Sequence, residues 1–394
     1  MKPVSTRCLH EALRLINKAV KPISYLPSVN FTRLELPSNG AFQLTATDLD
    51  IEVRIASPGF ASGKEISTAV LETKPLTDLV AGCYKANKRS SLVVGNDGLI
   101  TCDGVIATIA TQPIEDAIEP QKLDYHQARQ RLWFCQSLVR SLSIVNSAIT
   151  AEGSRFALDG AQFSPADPRT AEWDIAATDS HRIATRRELP CAIEGDQRNP
   201  FILPTNLIKA IIKMADSETS IIDIGCHEDR ITVGFSTSSG LMVNLTAKTI
   251  DGNFPDWKRV MPTTANTSLS FNLPSMVNAL ARIKPVIGKR TGSSGHGVEI
   301  TIGEGNRINA YAKAEGQSVL APVAGSTSFS SGAPDAVLAI SFYYLSDMVS
   351  AYAGEESIHV SFSVNDKNKC HSAVAFRPLA ASATEYVIMP MRTE

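Results

Sequence analysis

The 394-residue chain lacks the local signatures of most chemistry. It has no C-x-x-C pair, no G-x-S-x-G turn, no P-loop and no apolar run that approaches membrane-spanning length. Its seven cysteines (Cys8, Cys83, Cys102, Cys135, Cys191, Cys226 and Cys370) are odd in number and scattered. That argues against a disulfide framework or zinc site and for a reducing compartment. Cys226-His227 and Cys370-His371 are adjacent pairs, each without a second pair at ligand spacing, so neither metal nor cofactor is expected. The first residues, Met1-Lys2-Pro3-Val4-Ser5, carry no signal-peptide core, and a cytoplasmic protein is expected. Positive charge is not in excess either: the formal net charge is −2, so a whole-chain footprint of nucleic-acid binding is missing. Asp179-Ser180-His181 offers the residue types of a hydrolytic relay. Consecutive residues in or beside a strand point to opposite faces, however, so they cannot form one among themselves.

What is present is concentrated at the end of the chain. Tyr386-Val387-Ile388-Met389-Pro390-Met391-Arg392 is apolar almost throughout, where chain ends are usually polar. Val387 and Ile388 suit a strand, and Pro390 stops it. Met389 and Met391 flank the proline. They fit either core gaps beside a last strand or a docking groove for an apolar peptide.

Three rounds of one pattern precede that tail. The first has a helix over 7–21, with Leu9, Leu13, Ile16 and Val20 on one face and Arg7, Arg14, Lys18 and Lys21 on another. Strands are expected at 30–36, at 42–56 around a turn at 47–50, and near 65–71. A helix follows at 75–85, then strands at 91–94, 99–102 and 105–111. The second round starts with a helix over 131–149 carrying Leu138, Leu142, Val145 and Ile149. Strands at 155–163 and 172–187 come next. Phe201-Ile202-Leu203-Pro204 opens a helix through Met214 with Lys209 and Lys213 on one face, and strands follow at 220–224, 230–235 and 241–249. The third has a helix from Leu273 to Lys284 with Arg282, strands at 297–302 and 307–314, and a long Gly/Ser/Ala/Pro-rich loop at 315–335. It ends with a strand at 337–341, a helix at 344–352 and strands at 358–364 and 373–376. Thr45-Ala46-Thr47-Asp48 echoes Ala176-Ala177-Thr178-Asp179, 131 residues later. This spacing is far above solenoid periods and points to domain triplication, with boundaries expected at 1–127, 128–262 and 263–394. The fold class is α+β, helices on one face of antiparallel sheets. Helices carrying Arg7, Arg14, Lys18, Lys21, Arg140, Lys209, Lys213, Arg282 and Lys284 on one side would face DNA phosphates while the whole chain stays slightly acidic.

The motifs then resemble one family. Ala177-Thr178-Asp179-Ser180-His181-Arg182-Ile183-Ala184 is similar to the ATDGHRLA signature of the bacterial DNA polymerase III beta subunit, the sliding clamp. Asp251-Gly252-Asn253-Phe254-Pro255-Asp256-Trp257-Lys258-Arg259-Val260-Met261-Pro262 resembles its DGRFPDYRRVLP. The tail resembles its VVMPMRL, residues 45–53 its TGTDLEVE, and Phe156-Ala157-Leu158-Asp159-Gly160 its YYLNG. The resemblance implies a non-catalytic processivity factor: two chains closing head to tail into a six-domain ring around duplex DNA. A loader would open the ring, and polymerase and loader subunits would dock through short peptides. Carried over, the peptide groove comprises Leu158, Thr178, Ser180, His181, Arg182, Ile183, Pro255, Arg259, Val260, Val387, Met389, Pro390, Met391 and Arg392. Arg182, Arg259 and Arg392 would donate to peptide carbonyls or to acidic neighbours. Arg155 and Phe156 match a position near DNA. For ring closure, strand 105–111 is expected to meet the third domain of the other chain, with Ile106 or Ile109 near Ile283 and Ile287. Three departures from the family pattern stand out: Ser180 for Gly, Ile183 for Leu, and the final Thr393-Glu394. They motivate a second reading, an accessory or drug-resistant clamp with an altered groove.

Overall fold

The computed structural model describes residues 3–21, 26–61, 66–121, 128–149, 156–195, 198–287, 296–303, 307–314, 316–329, 336–379 and 383–391. Six helices lie among them: α1 (Thr6–Ala19), α2 (Thr73–Ala86), α3 (Ser137–Asn146), α4 (Thr205–Met214), α5 (Leu273–Ile287) and α6 (Phe342–Ala351). None is long and apolar enough to cross a membrane. Each round of the sequence becomes strand, helix, a group of strands, helix, three strands.

Contacts gather the chain into two compact units: residues 1–140, 190–199 and 203–249, and residues 141–189, 200–202 and 250–394. The middle round is shared between them. In the first unit an antiparallel sheet runs through Ile66–Glu72, Phe31–Pro37, Gln43–Thr47, Ile51–Ala56, Met242–Lys248, Arg230–Ser236, Ile221–Cys226 and Gln130–Cys135, to the end of strand Arg182–Glu194. Period-two alternation drives it: Thr32, Leu34 and Leu36 are buried, their neighbours half-buried. Helix α1 buries Leu9, Ala12, Leu13 and Ile16 and packs on α2 and α4. In the second unit a comparable sheet runs through Gly325–Phe329, Thr267–Asn272, Ser357–Phe362, Val374–Pro378 and Thr384–Ile388 to Arg182–Arg186.

Four expectations need correction. Residues 131–135 belong to a strand, and helix α3 starts only at Ser137. Gln130, Leu132 and Phe134 are buried in alternation, a short period-two signal that runs directly into the helical one. In place of a strand from 155, a 3₁₀ turn spans Phe156–Leu158 and the strand runs Gly160–Pro165. Phe201–Pro204 is a strand ahead of α4 and not its first turn. Within 315–335 the described residues 316–329 are mostly strand: Gln317–Val323 pairs along Arg307–Ala314, and Gly325–Phe329 pairs with Thr267–Phe271. Its glycine misled. A Cβ on Gly325 would overlap the Ser270 carbonyl oxygen and lie 2.9 Å from the Phe271 Cα, so close backbone approach requires glycine inside this strand.

Candidate functional site

The turn at 178–182 is built by short side chains. Thr178 Oγ1 donates to the Arg182 carbonyl (2.7 Å) and accepts from the Ser180 N–H (3.1 Å). Asp179 Oδ1 accepts from the N–H groups of His181 and Arg182 (3.0 and 3.1 Å). The turn at 47–51 repeats this set. Thr47 Oγ1 bonds the Ile51 carbonyl and the Leu49 N–H (2.9 and 3.0 Å), and Asp48 Oδ1 accepts from the Ile51 N–H (3.0 Å). The echo of Thr-Asp is therefore one turn, used twice. Its third residue is left-handed in both, φ +75° at Leu49 and +78° at Ser180. A serine at the position where the resembling motif carries glycine thus keeps the turn and bears the local backbone strain.

Arg182 emerges from that turn with only 6% of its side chain exposed. Its Nε donates to Asp179 Oδ2 (2.9 Å), and its Nη1 donates to Asp347 Oδ2 (2.6 Å) and Tyr386 OH (3.1 Å). The guanidinium lies 4.5 Å from the Tyr344 ring centre, and His181 stacks on the same ring at 6.2 Å. Burial opposes the charge, but Tyr386, Asp179 and Asp347 more than offset it and hold the pKa above the ordinary value. Burial also pushes the Tyr386 hydroxyl up to about 12. Arg182 is thereby paired with two acidic neighbours, Asp179 and Asp347.

Beside this anchor lies an apolar floor of Ala176, Ile183, Trp257, Ala375 and Val387, packed against Phe254, Met261 and Ala373. Ile183 and Val387 face each other across paired strands. Trp257 arrives on the 251–262 segment, which Lys258 fastens through its ion pair with buried Asp174 (2.8 Å). The tail closes the site. The Met389 N–H donates to the His181 carbonyl (2.9 Å) and the Met391 N–H to the Ala339 carbonyl (2.8 Å). Met389 is half-exposed, and Pro390 and Met391 are partly buried.

The predicted groove residues divide by role. Ile183 and Val387 form floor, Thr178 and Arg182 are buried framework, and Ser180, His181, Pro255, Val260 and Met389 present surface. Leu158 is buried, and its neighbour Ala157 lies against Gly252 of the Trp257 segment. Arg259 is exposed and pairs with Asp256 (2.9 Å). Arg392 lies outside the described residues. Sequence reasoning missed Trp257, Tyr344 and Asp347. Trp257 was inside a quoted motif, whereas Tyr344 and Asp347 reach the site from α6 by tertiary placement alone.

The basic residues fall mainly in the first unit. Arg7, Arg14, Lys18, Lys21, Arg140, Lys209 and Lys213 are exposed there. Lys18 Nζ donates to the Lys213 carbonyl (2.9 Å), joining the α1 and α4 stripes. Glu11 shares the α1 face, and Lys85, Lys88 and Arg89, exposed at the end of α2, add charge that the helix pattern did not reveal. Arg282 and Lys284 are exposed on α5, while α6 has no lysine or arginine. Arg155 lies outside the described residues, and Phe156 opens the 3₁₀ turn. Of the four isoleucines expected at a chain–chain contact, only Ile106 presents surface (73% exposed). Ile109 is buried just past strand Val105–Thr108, and Ile283 and Ile287 continue the buried stripe of Met276 and Leu280 on α5, so these three point into their own cores and cannot supply that contact.

Comparison with known proteins agrees with this geometry. Residues 135–256 match the family model of the DNA polymerase III beta subunit, central domain. The beta sliding clamp of Escherichia coli K12 is 23% identical over 361 residues, covering 90% of each chain. That of Haemophilus influenzae is 24% identical over 280 residues, covering 68% of this chain and 69% of the relative. A Pseudomonas aeruginosa DnaN sliding clamp bound to griselimycin superposes with a TM-score of 0.81 at 19% identity, over 99% of both chains. The Thermotoga maritima beta subunit gives 0.78 at 20%, over 100% of this chain and 99% of that one. The signature turn, the Trp257 segment and the tail meet in one site, on a fold that the chain shares with these sliding-clamp structures.

Proposed function

We propose that the protein is a DNA sliding clamp: two chains close head to tail into a ring of six domains around duplex DNA and hold polymerase and clamp-loader subunits by short peptides. Three domains of 1–127, 128–262 and 263–394 per chain are part of this reading, as is action in the cytoplasm without a catalytic step of its own.

One observation carries it, the accounting of strand edges. In the first round, strand Ile51–Ala56 leaves the Thr-Asp turn and pairs with Met242–Lys248, the last strand of the second round. In the second, Arg182–Arg186 leaves the equivalent turn and pairs with Thr384–Ile388, the last strand of the third. The third-round strand of the same rank is Gln317–Val323, at the end of a four-stranded sheet. The last strand of the first round, Val105–Thr108, also ends its sheet. Among the described residues each is paired on one side only, and each exposes apolar side chains: Val105 and Ile106 on one, Leu320 on the other. One chain therefore has one unused edge of each kind. A second copy satisfies both by twofold exchange, which removes two aggregation-prone edges and closes the ring.

The basic faces of α1 and α4 then supply sequence-independent phosphate contacts that permit sliding. The apolar floor and adaptable methionines suit a short peptide with a Gln and Leu or Phe anchors. Light scattering tests the closure: the wild type is expected to have the mass of a dimer, and Ile106→Asp or Leu320→Asp to release monomers that keep the wild-type circular dichroism. A monomeric wild type, or dimers indifferent to both charges, would sink the edge pairing.

A further inference from the structure

Met391 occupies a berth that only glycine could leave open. Gly297 lies in strand Gly297–Gly303 and pairs with Ser341. Its φ is not among the positive values of this chain, so the backbone there accepts any L residue. Local conformation therefore does not call for glycine. Space does: a Cβ built on Gly297 would lie 3.1 Å from the Met391 Sδ and 3.7 Å from its Cε. Real Cβ contacts are seldom so short, and one partner would have to give way. The strand is held by pairing on both sides, with Ser341 and with the Arg307–Tyr311 segment. The Met391 backbone is held as well, by its N–H bond to the Ala339 carbonyl (2.8 Å). Only the Met391 thioether is free to move, and it moves away from the strand.

We infer that Gly297 is a specificity-determining residue of the groove, acting through Met391. The missing side chain lets the thioether retreat against the strand and leaves room at the tail end of the groove for a bulky apolar anchor of the bound peptide. This rests on reading the site as a peptide groove. Any side chain at 297 lifts the thioether toward the ligand. Ala shifts it by a few tenths of an ångström, and Val displaces it outright. The consequence falls on one anchor of the peptide and spares the contacts at the Trp257 end.

The test is a fluorescence-anisotropy titration with a short fluorescein-labelled peptide bearing a Gln, a Leu and a Phe, and with versions in which each anchor is replaced by Ala. Gly297→Val is expected to weaken the full peptide on the order of tenfold, the scale of one mis-sized apolar group in a pocket. It should leave unchanged the binding of the one version that lacks the anchor facing Met391. In a Met391→Ala background the substitution should have no further effect. Gly297→Ala, which perturbs least and guards against misfolding, should act in the same direction and more weakly. Wild-type affinity in Gly297→Val, or equal losses with every peptide version, overturns the inference. Failure of the wild type to bind any version overturns the groove reading itself, and this inference with it.

Discussion

Arg182→Met is expected to destabilise the protein by about 3 kcal/mol and to abolish peptide binding. Removing one member of a buried ion pair typically costs about 3–5 kcal/mol. Here the lower end applies. Asp179 keeps the backbone N–H groups of His181 and Arg182, and Asp347, 42% exposed, can rehydrate. Binding is lost for a different reason. Arg182 joins the turn to α6 through Asp347 and to the last strand through Tyr386. Without it, His181 loses the fixed ring of Tyr344 as a support, and the carbonyl that holds Met389 moves with it. Arg182→Lys keeps the charge but cannot bridge two carboxylates and a phenol from one planar group. It should cost about 1.5–3 kcal/mol, the value of charged hydrogen bonds foregone. Urea denaturation gives the stabilities and anisotropy the binding. Equal stability of Arg182→Met and wild type would contradict the assigned role.

Trp257→Ala is the second large effect. The indole is 4% exposed at the centre of the apolar floor. Truncating a buried tryptophan costs about 3–5 kcal/mol through lost transfer energy and the cavity left behind. Because the residue sits on a segment fastened by one ion pair, part of that cost is expected to appear as local loosening of 251–262. Peptide affinity should fall at least tenfold, roughly 1.4 kcal/mol. Arg259→Ala, two residues further on, is the contrast. That side chain is 84% exposed and, among the described residues, pairs only with Asp256, so stability should change by less than about 0.5 kcal/mol. Proteolysis at 251–262 and peptide titration separate the two variants. Unchanged binding by Trp257→Ala would show that the floor lies elsewhere.

The sequence carried more of the turn than of its surroundings. Thr178 and Asp179 act through neighbours within four residues, so the turn they build was legible as spacing. The triplicate order of elements was legible for the same reason, because amphipathic periods are local. Asp347 and Tyr344 were not, since only the packing of α6 brings them to a turn some 165 residues earlier. The clearest misreading, 315–335 as loop, came from composition. Gly325 there serves close backbone approach, and Gln317–Val323 forms a sheet edge that the proposed ring uses. Misassignment of Ile283 and Ile287 has a related cause. A helix pattern tells which residues share a face, and the nearest hydrophobic face is more often its own core than a partner's.

Retention on circular duplex DNA is the measurement that tests the clamp most directly. Protein loaded on a nicked circle should stay bound through gel filtration in salt that strips phosphate contacts. It should be released when the circle is linearised, because a closed ring is held by topology and a surface-bound protein by charge. Equal loss from circular and linear DNA would contradict the ring, and with it the edge accounting on which this function rests.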